Sequence, residues 1–209
     1  MRLLLTGFGP FGDIVCNPAQ LVVEALAADV TLWEPDGPHR LISVILPVEF
    51  GAADEHIRNL IEAHRPDVIL MLGVAAKRDS IGLERIALNL DDAPDRPDNA
   101  GCAPDGIPIA AEGPLALAAT LPLPALRASL NAAGFPAVIS NHAGTYLCNH
   151  VFYTALWTVE RLGLPTRCGF IHVPLPRDLQ PAGADARVAL ADLVAAIRHC
   201  IGYLSECPT

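Results

Sequence analysis

The segment DVILMLGV at 67–74 constrains the fold more than any other stretch of the chain. An almost wholly apolar run of that length is the pattern of a central strand covered on both faces, so helices must lie to either side of its sheet. The flanking sequence supplies them. RLLLT (2–6) reads as a buried strand, and Asn17-Pro18, an N-cap and N1 pair, opens the helical pattern QLVVEALAA. LISVILPV (41–48) predicts a second strand and FGAADEHIRNLIEAH (50–64) a helix. IGLERIALNL (81–90) alternates until Arg85 interrupts it, which predicts an irregular or bulged strand. ALRASLNAAG (125–134) then reads as a helix, AVISN (137–141) as a strand, and a further helix runs from about Cys148 to Leu162. CGFIHVPL (168–175) predicts a strand and ARVALADLVAAIRHCI (186–201) a closing helix. This alternation predicts an α/β fold: one three-layer α/β/α domain over residues 1–209 with a mainly parallel sheet. Seven of the 19 prolines fall at 92–124, a long Pro/Gly-rich excursion of the kind that is functional or interfacial.

Composition removes several function classes. Hydrophobic residues make up 52% and charged residues 18%, as in a globular chain. The net charge is −9 and no cluster of Lys and Arg exists, which argues against nucleic acid or an anionic membrane as partner. Leu3, Leu4 and Leu5 are too short a run for a secretory signal, and VILMLGVAA (68–76) is too short to span a bilayer. Six cysteines without a CxxC pair read as free thiols, so a cytoplasmic location is expected.

GFGPFG at 7–12 matches the G-x-G-x-x-G of dinucleotide-binding loops, and Glu34 stands 22 positions after Gly12. In such a fold, however, the helix begins inside the glycine motif so that its N-terminus meets the pyrophosphate. Here the helix signal comes five positions after Gly12, while Pro10 and two phenylalanines occupy the space a phosphate needs. Glu34 lies in the loop-like WEPDGP. The glycines instead predict a tight loop that presents aromatic surface. A nucleotide-dependent oxidoreductase is therefore disfavoured, and no cofactor is expected.

SNHAGTYLCNHVFYTAL at 140–156 is the strongest chemical signal. A cysteine at the start of a helix faces unpaired backbone N–H groups and the positive end of the dipole, both of which favour the nucleophilic thiolate. The competing reading is a small buried residue packing the helix start. His172, in FIHVP near a strand end, is a candidate base, against the alternative of a core histidine bonded to a carbonyl. Glu84 is a carboxylate inside an apolar strand and must be paired, either with such an imidazole or with Arg85. The three would converge from strand-end loops. His142, Cys148 and His150 do not have zinc spacing, so no metal is expected. Asp91-Asp92 and Asp98-Asn99 read as turn chemistry.

Taken together, the blocks TGFGPFG…NP (6–18), LPVEF (46–50), LERIALNLDDA…PDNAG (83–101), SNHAGTYLCNH (140–150) and GFIHVP (169–174) resemble the pyroglutamyl peptidases, the pyrrolidone-carboxylate peptidase family of cytosolic cysteine exopeptidases. The resemblance implies a Glu84–Cys148–His172 triad, a thioester acyl-enzyme, and removal of an N-terminal pyroglutamyl residue from peptides without metal or cofactor. It also implies a twisted mixed sheet and a homotetramer. Phe11 and Phe8 would pack against the pyrrolidone, with Asn17, Gly73 and Val74 in the substrate pocket and Arg85 as electrostatic support. Two departures from the family pattern stand out. GVAAKR (73–78) replaces the GQAGGR of many bacterial members, so Val74 cannot make the side-chain hydrogen bond of that glutamine. APDRPDN (93–99) is a longer loop than the usual ARIPDN. A catalytically weak homologue that binds a peptide or small amide is the alternative function.

Overall fold

A computed structural model describes residues 1–29, 39–180 and 188–206. Glu34 and the WEPDGP loop fall outside the described residues, as do Cys207 and the first two residues of the closing helical pattern.

Among the described residues seven strands form one sheet: β1 (Arg2–Phe8), β2 (Arg40–Leu46), β3 (Val68–Val74), β4 (Ile81–Leu88), β5 (Ala116–Ala118), β6 (Ala137–His142) and β7 (Arg167–Val173). Among the same described residues five α-helices accompany them: α1 (Pro18–Ala27), α2 (Phe50–His64), α3 (Leu123–Ala132), α4 (Leu147–Arg161) and α5 (Leu190–Glu206). β2, β1, β3 and β7 run parallel in that order. β4 lies antiparallel to β7 and parallel to β6. The sheet is thus mixed and mostly parallel.

The apolar run that predicted a central strand does become one. Val68, Leu70 and Leu72 of β3 pack with Val22 and Leu26 of α1, Leu126 of α3 and Leu193 and Ile197 of α5. Ile69 and Met71 point the other way, into a cluster with Ile57 and Ile61 of α2 and Val151 and Phe152 of α4. Two apolar faces on one strand require two helical layers, and the alternation of strand side chains delivers them.

β4 explains the interruption at Arg85. As far as Glu84 it pairs with β7, and from Ile86 onward it pairs with β5. Leu83 packs in the first cluster and Ala87 in the second, so the alternation slips between them. Residues four apart on a regular strand share a face, so Leu83 and Ala87 can face opposite layers only if the strand is irregular between them, where it changes partner. Elsewhere the elements differ from expectation mainly at their ends. β1 continues to Phe8, α3 starts at Leu123, and α5 is helical only from Leu190 but extends to Glu206.

Candidate active site

The first strand does not stop before the glycine motif but runs into it. A Cβ on Gly7 would sit 2.8 Å from the Ala19 carbonyl oxygen, so glycine is what lets β1 lie against the start of α1. The chain then turns tightly: Phe11 N–H donates to Ile14 O at 3.2 Å and Ile14 N–H returns the bond at 2.9 Å, with Gly12 at φ +50°. Asn17 closes the loop. Its Oδ1 accepts from Ala19 N at 3.0 Å as the N-cap, and its Nδ2 donates to Gly9 O at 2.9 Å. What Asn17 contributes is the position of the loop rather than a freely oriented amide. The result is a wall in which Phe8 is buried and Phe11 half-buried, both lining a cavity of about 400 Å³.

Glu84 and His172 approach across the antiparallel β4–β7 pair, where Glu84 stands opposite Phe170 and Gly82 opposite His172. Glu84 is thus inside a strand, as its apolar flanks predicted, and meets His172 across an antiparallel neighbour rather than from a strand-end loop. His172 Nδ1 lies 2.7 Å from Glu84 Oε1, and Glu84 is fully buried. With Nδ1 so engaged, Nε2 is the ring nitrogen left for Cys148. Burial pulls the His172 imidazole down, but the charge of Cys148 and hydrogen bonds to Cys148 and Glu84 outweigh it and hold the imidazole up at about 9. Burial likewise pushes Glu84 up, and the hydrogen bond and charge of His172, with bonds to Ser140 and Arg78, bring its carboxyl below the usual value.

Cys148 is the second residue of α4, which begins at Leu147, one position before the helix start read from the sequence. Its Sγ lies against the end of β3: a Cβ on Gly73 would be 2.9 Å from Cys148 Sγ and 2.8 Å from the Phe170 ring. Gly73 thus makes room for the sulfur. Val74, next along the strand, gives the cavity an apolar patch.

The partner of Glu84 is not Arg85. Arg85 is exposed, and Glu84 Oε1 instead accepts from Arg78 Nη1 at 2.8 Å, while Arg78 Nη2 donates to Ser140 Oγ at 3.1 Å. A Cβ on Gly82 would collide with Arg78 Nη1, so a glycine in β4 opens the path for that guanidinium. Arg78 was visible in GVAAKR, and its signal was an arginine in the β3–β4 connection six residues before a buried carboxylate.

A second charged group also escaped the sequence reading. His150 Nδ1 lies 2.7 Å from Asp91 Oδ2 and its Nε2 lies 3.5 Å from Asp54 Oδ1, which ties α4 to α2 and to the start of the Pro/Gly-rich excursion. Asp91 is therefore an ion-pair partner as well as a loop residue, since it also exchanges backbone bonds with Ile107. Among the described residues no group of three His, Cys, Asp or Glu side chains is placed to hold a metal ion.

The cavity has a closed inner end and an open rim. Phe8, Val48, Leu147 and His172 at its inner wall are buried, while Asp92, Pro94, Asp95 and Arg96 of the excursion are exposed. Phe11, Val74, Tyr146 and Cys148 stand between. A thiol, an imidazole and a buried carboxylate in series, beside an apolar pocket, form an arrangement that can perform acyl transfer.

Comparisons with known proteins point the same way. The family model described as pyroglutamyl peptidase matches residues 1–205. The chain is 41% identical over 204 residues to the pyrrolidone-carboxylate peptidase of Oceanobacillus iheyensis, covering 97% of this chain and 98% of that one. It is 42% identical over 200 residues to the protein of the same name from Chromobacterium violaceum, covering 95% and 90%. Among solved structures, pyroglutamyl peptidase I of Bacillus amyloliquefaciens superposes with a TM-score of 0.85 at 33% identity, over 95% of this chain and 93% of that one. Pyrrolidone carboxyl peptidase of Pyrococcus furiosus gives 0.89 at 33% identity, over 99% of each chain.

Proposed function

The chain belongs to the pyroglutamyl peptidase family, cysteine peptidases that remove N-terminal pyroglutamate, and from that premise we propose that Glu84, Cys148 and His172 are its catalytic triad. The observation that carries the assignment is the 2.7 Å contact of His172 Nδ1 with the fully buried Glu84 carboxylate on one side and the Cys148 interaction on the other.

The uncharged pyrrolidone ring packs on Phe8 at the closed end of the cavity and on Phe11 beside it, with Val74 extending the apolar wall and Gly73 leaving space for the sulfur. Cys148 Sγ attacks the exocyclic carbonyl that joins the ring to the next amino acid. The oxyanion is received by N–H groups of the first turn of α4, which have no intrahelical acceptor. His172, held as imidazolium, gives its proton to the departing amine, leaving a thioester. The neutral imidazole then takes a proton from water, hydroxide adds to the thioester, and pyroglutamate leaves as Cys148 regains its starting state. Glu84 fixes the ring through Nδ1 and stabilises its charged form. Arg78 holds Glu84, the role that the sequence reading gave to Arg85.

In the same reading, residues 1–209 act as one peptidase domain whose 92–124 excursion builds the rim. The substrates are peptides with N-terminal pyroglutamate. A cytoplasmic location is supported by the family resemblance and by the described cysteines, all of which are free thiols. A homotetramer rests on the resemblance alone, and light scattering on the purified protein tests it. Release of arylamine from a pyroglutamyl arylamide by the reduced protein tests the activity. Cys148→Ser is expected to lower that rate by a factor on the order of 10³ or more while retaining the circular-dichroism spectrum. An unchanged rate in that variant rejects the nucleophile, and no release by folded wild type leaves the binding homologue as the better reading.

A further inference from the structure

The rim of the cavity carries a cation that the hydrolytic chemistry does not use. The Arg96 guanidinium carbon lies 4.5 Å from the centroid of the Tyr146 ring and 5.1 Å from that of Phe11. Those rings are 6.4 Å apart, so the cation caps the pair. Contact with ring faces holds a guanidinium in place by electrostatics. It supplies no oxygen acceptor, and among the described residues the Arg96 side chain makes no hydrogen bond or ion pair. Its planar set of N–H donors is therefore positioned and unspent, the arrangement that accepts a carboxylate in two-pronged fashion. Among the described residues, Arg96 is also the only Lys or Arg lining the cavity. Asp92 and Asp95 border the same rim without pairing with it, so a carboxylate arriving there is favoured only beside Arg96.

The direction of the substrate decides what Arg96 meets. The carbonyl to be attacked must reach Cys148, and the apolar inner wall takes the ring. Everything beyond the scissile bond then leaves across the exposed rim. Tyr146, on which the guanidinium rests, is only two residues before Cys148, so the cation is tied to the nucleophile's own turn. We propose that Arg96 forms a carboxylate-binding subsite for the residue that follows pyroglutamate, so that the protein prefers substrates with an acidic group at that residue. The proposal rests on the reading of this cavity as the pyroglutamyl site. The shared chemistry is a carboxylate, which an acidic side chain or the C-terminus of a dipeptide can supply.

Two matched pairs of substrates separate these sources: pyroglutamyl-glutamate amide against pyroglutamyl-glutamine amide, and pyroglutamyl-alanine against its amide. In at least one pair the wild type is expected to favour the acidic member by about fivefold in kcat/KM, the upper end for an exposed ion pair. The ratio should fall toward one at about 1 M salt, where the screening length is near 3 Å. In Arg96→Gln the ratio should be about one, and Arg96→Lys, which keeps the charge without the planar fork, should lie between. The substitutions are at an exposed side chain, and the salt dependence of the wild type gives a readout independent of them. Ratios of one in both wild-type pairs overturn the proposal, as does a wild-type preference that survives in Arg96→Gln. If the neutral members are cleaved without discrimination, only this subsite falls. If no pyroglutamyl substrate is cleaved, the reading of the cavity falls and the subsite with it.

Discussion

The buried His150 cluster makes a quantitative statement about stability. His150 sits between Asp91 and Asp54, with Phe50 edge-on at 5.3 Å. Arg58 and Thr154 are the other groups that hold Asp54, at 3.0 and 2.8 Å. Burial pulls the imidazole down, yet its bonds to the two carboxylates and their charges outweigh burial and raise it from 6.5 to about 9. A folded-state value above the unfolded one means the folded protein binds the proton more tightly. The resulting stability is fully present below pH 6.5 and is lost as pH rises through 9. At 1.36 kcal/mol per pH unit, the contribution is about 3 kcal/mol at pH 6, about 2 at pH 7.5 and under about 0.5 at pH 9.5. His172 is raised over the same window, so wild type alone does not isolate His150. The difference between wild type and His150→Gln does, because every other group titrates in both. Urea unfolding followed by circular dichroism at the three pH values is the assay. The stability gap between the two proteins should narrow by about 3 kcal/mol from pH 6 to pH 9.5. A gap that stays constant, or widens with pH, refutes the argument that the two carboxylates hold His150 charged.

Gly73→Ala places a methyl group 2.9 Å from Cys148 Sγ and 2.8 Å from the Phe170 ring. Because both neighbours are packed, arylamide turnover should fall at least about 100-fold and stability by about 1–3 kcal/mol; wild-type kcat would show that the sulfur does not need that space. Arg78→Gln removes a 2.8 Å partner that helps keep the Glu84 carboxyl low, so the acid limb of the pH–rate profile should move to higher pH and kcat should drop roughly tenfold. Arg78→Lys should recover part of both, and an unmoved acid limb in the glutamine variant counts against the role given to Arg78. Asn17→Ala removes the α1 cap and the tie to Gly9, with an expected loss of about 1–2 kcal/mol in urea unfolding and a raised KM as the Phe11 loop loosens; a loss confined to stability would separate the cap from the loop.

The layers were legible because they are written in burial. A strand covered on both faces needs apolar residues at every position, and β3 has them, so the three-layer arrangement follows from one segment together with its helical neighbours. Strand direction leaves no such mark. Nothing in IGLERIAL distinguishes a parallel from an antiparallel neighbour, so the sequence put Glu84 inside a strand without showing that it stands opposite Phe170 of β7. The same limit misassigned its partner. Sequence adjacency suggested Arg85, but adjacent residues on an extended chain point apart, and the guanidinium that reaches Glu84 comes from Arg78 through the gap left by Gly82. The glycines carry the general lesson. Gly7, Gly73 and Gly82 all lie within strands, where glycine weakens a sheet, and each leaves room for one specific neighbour: the Ala19 carbonyl, the Cys148 sulfur and the Arg78 guanidinium. The first admits the helix that anchors the aromatic loop, the second admits the sulfur, and the third admits the cation that holds the carboxylate. A glycine inside an otherwise apolar strand therefore marks where the site is built, although only the folded structure says which atom fills the space.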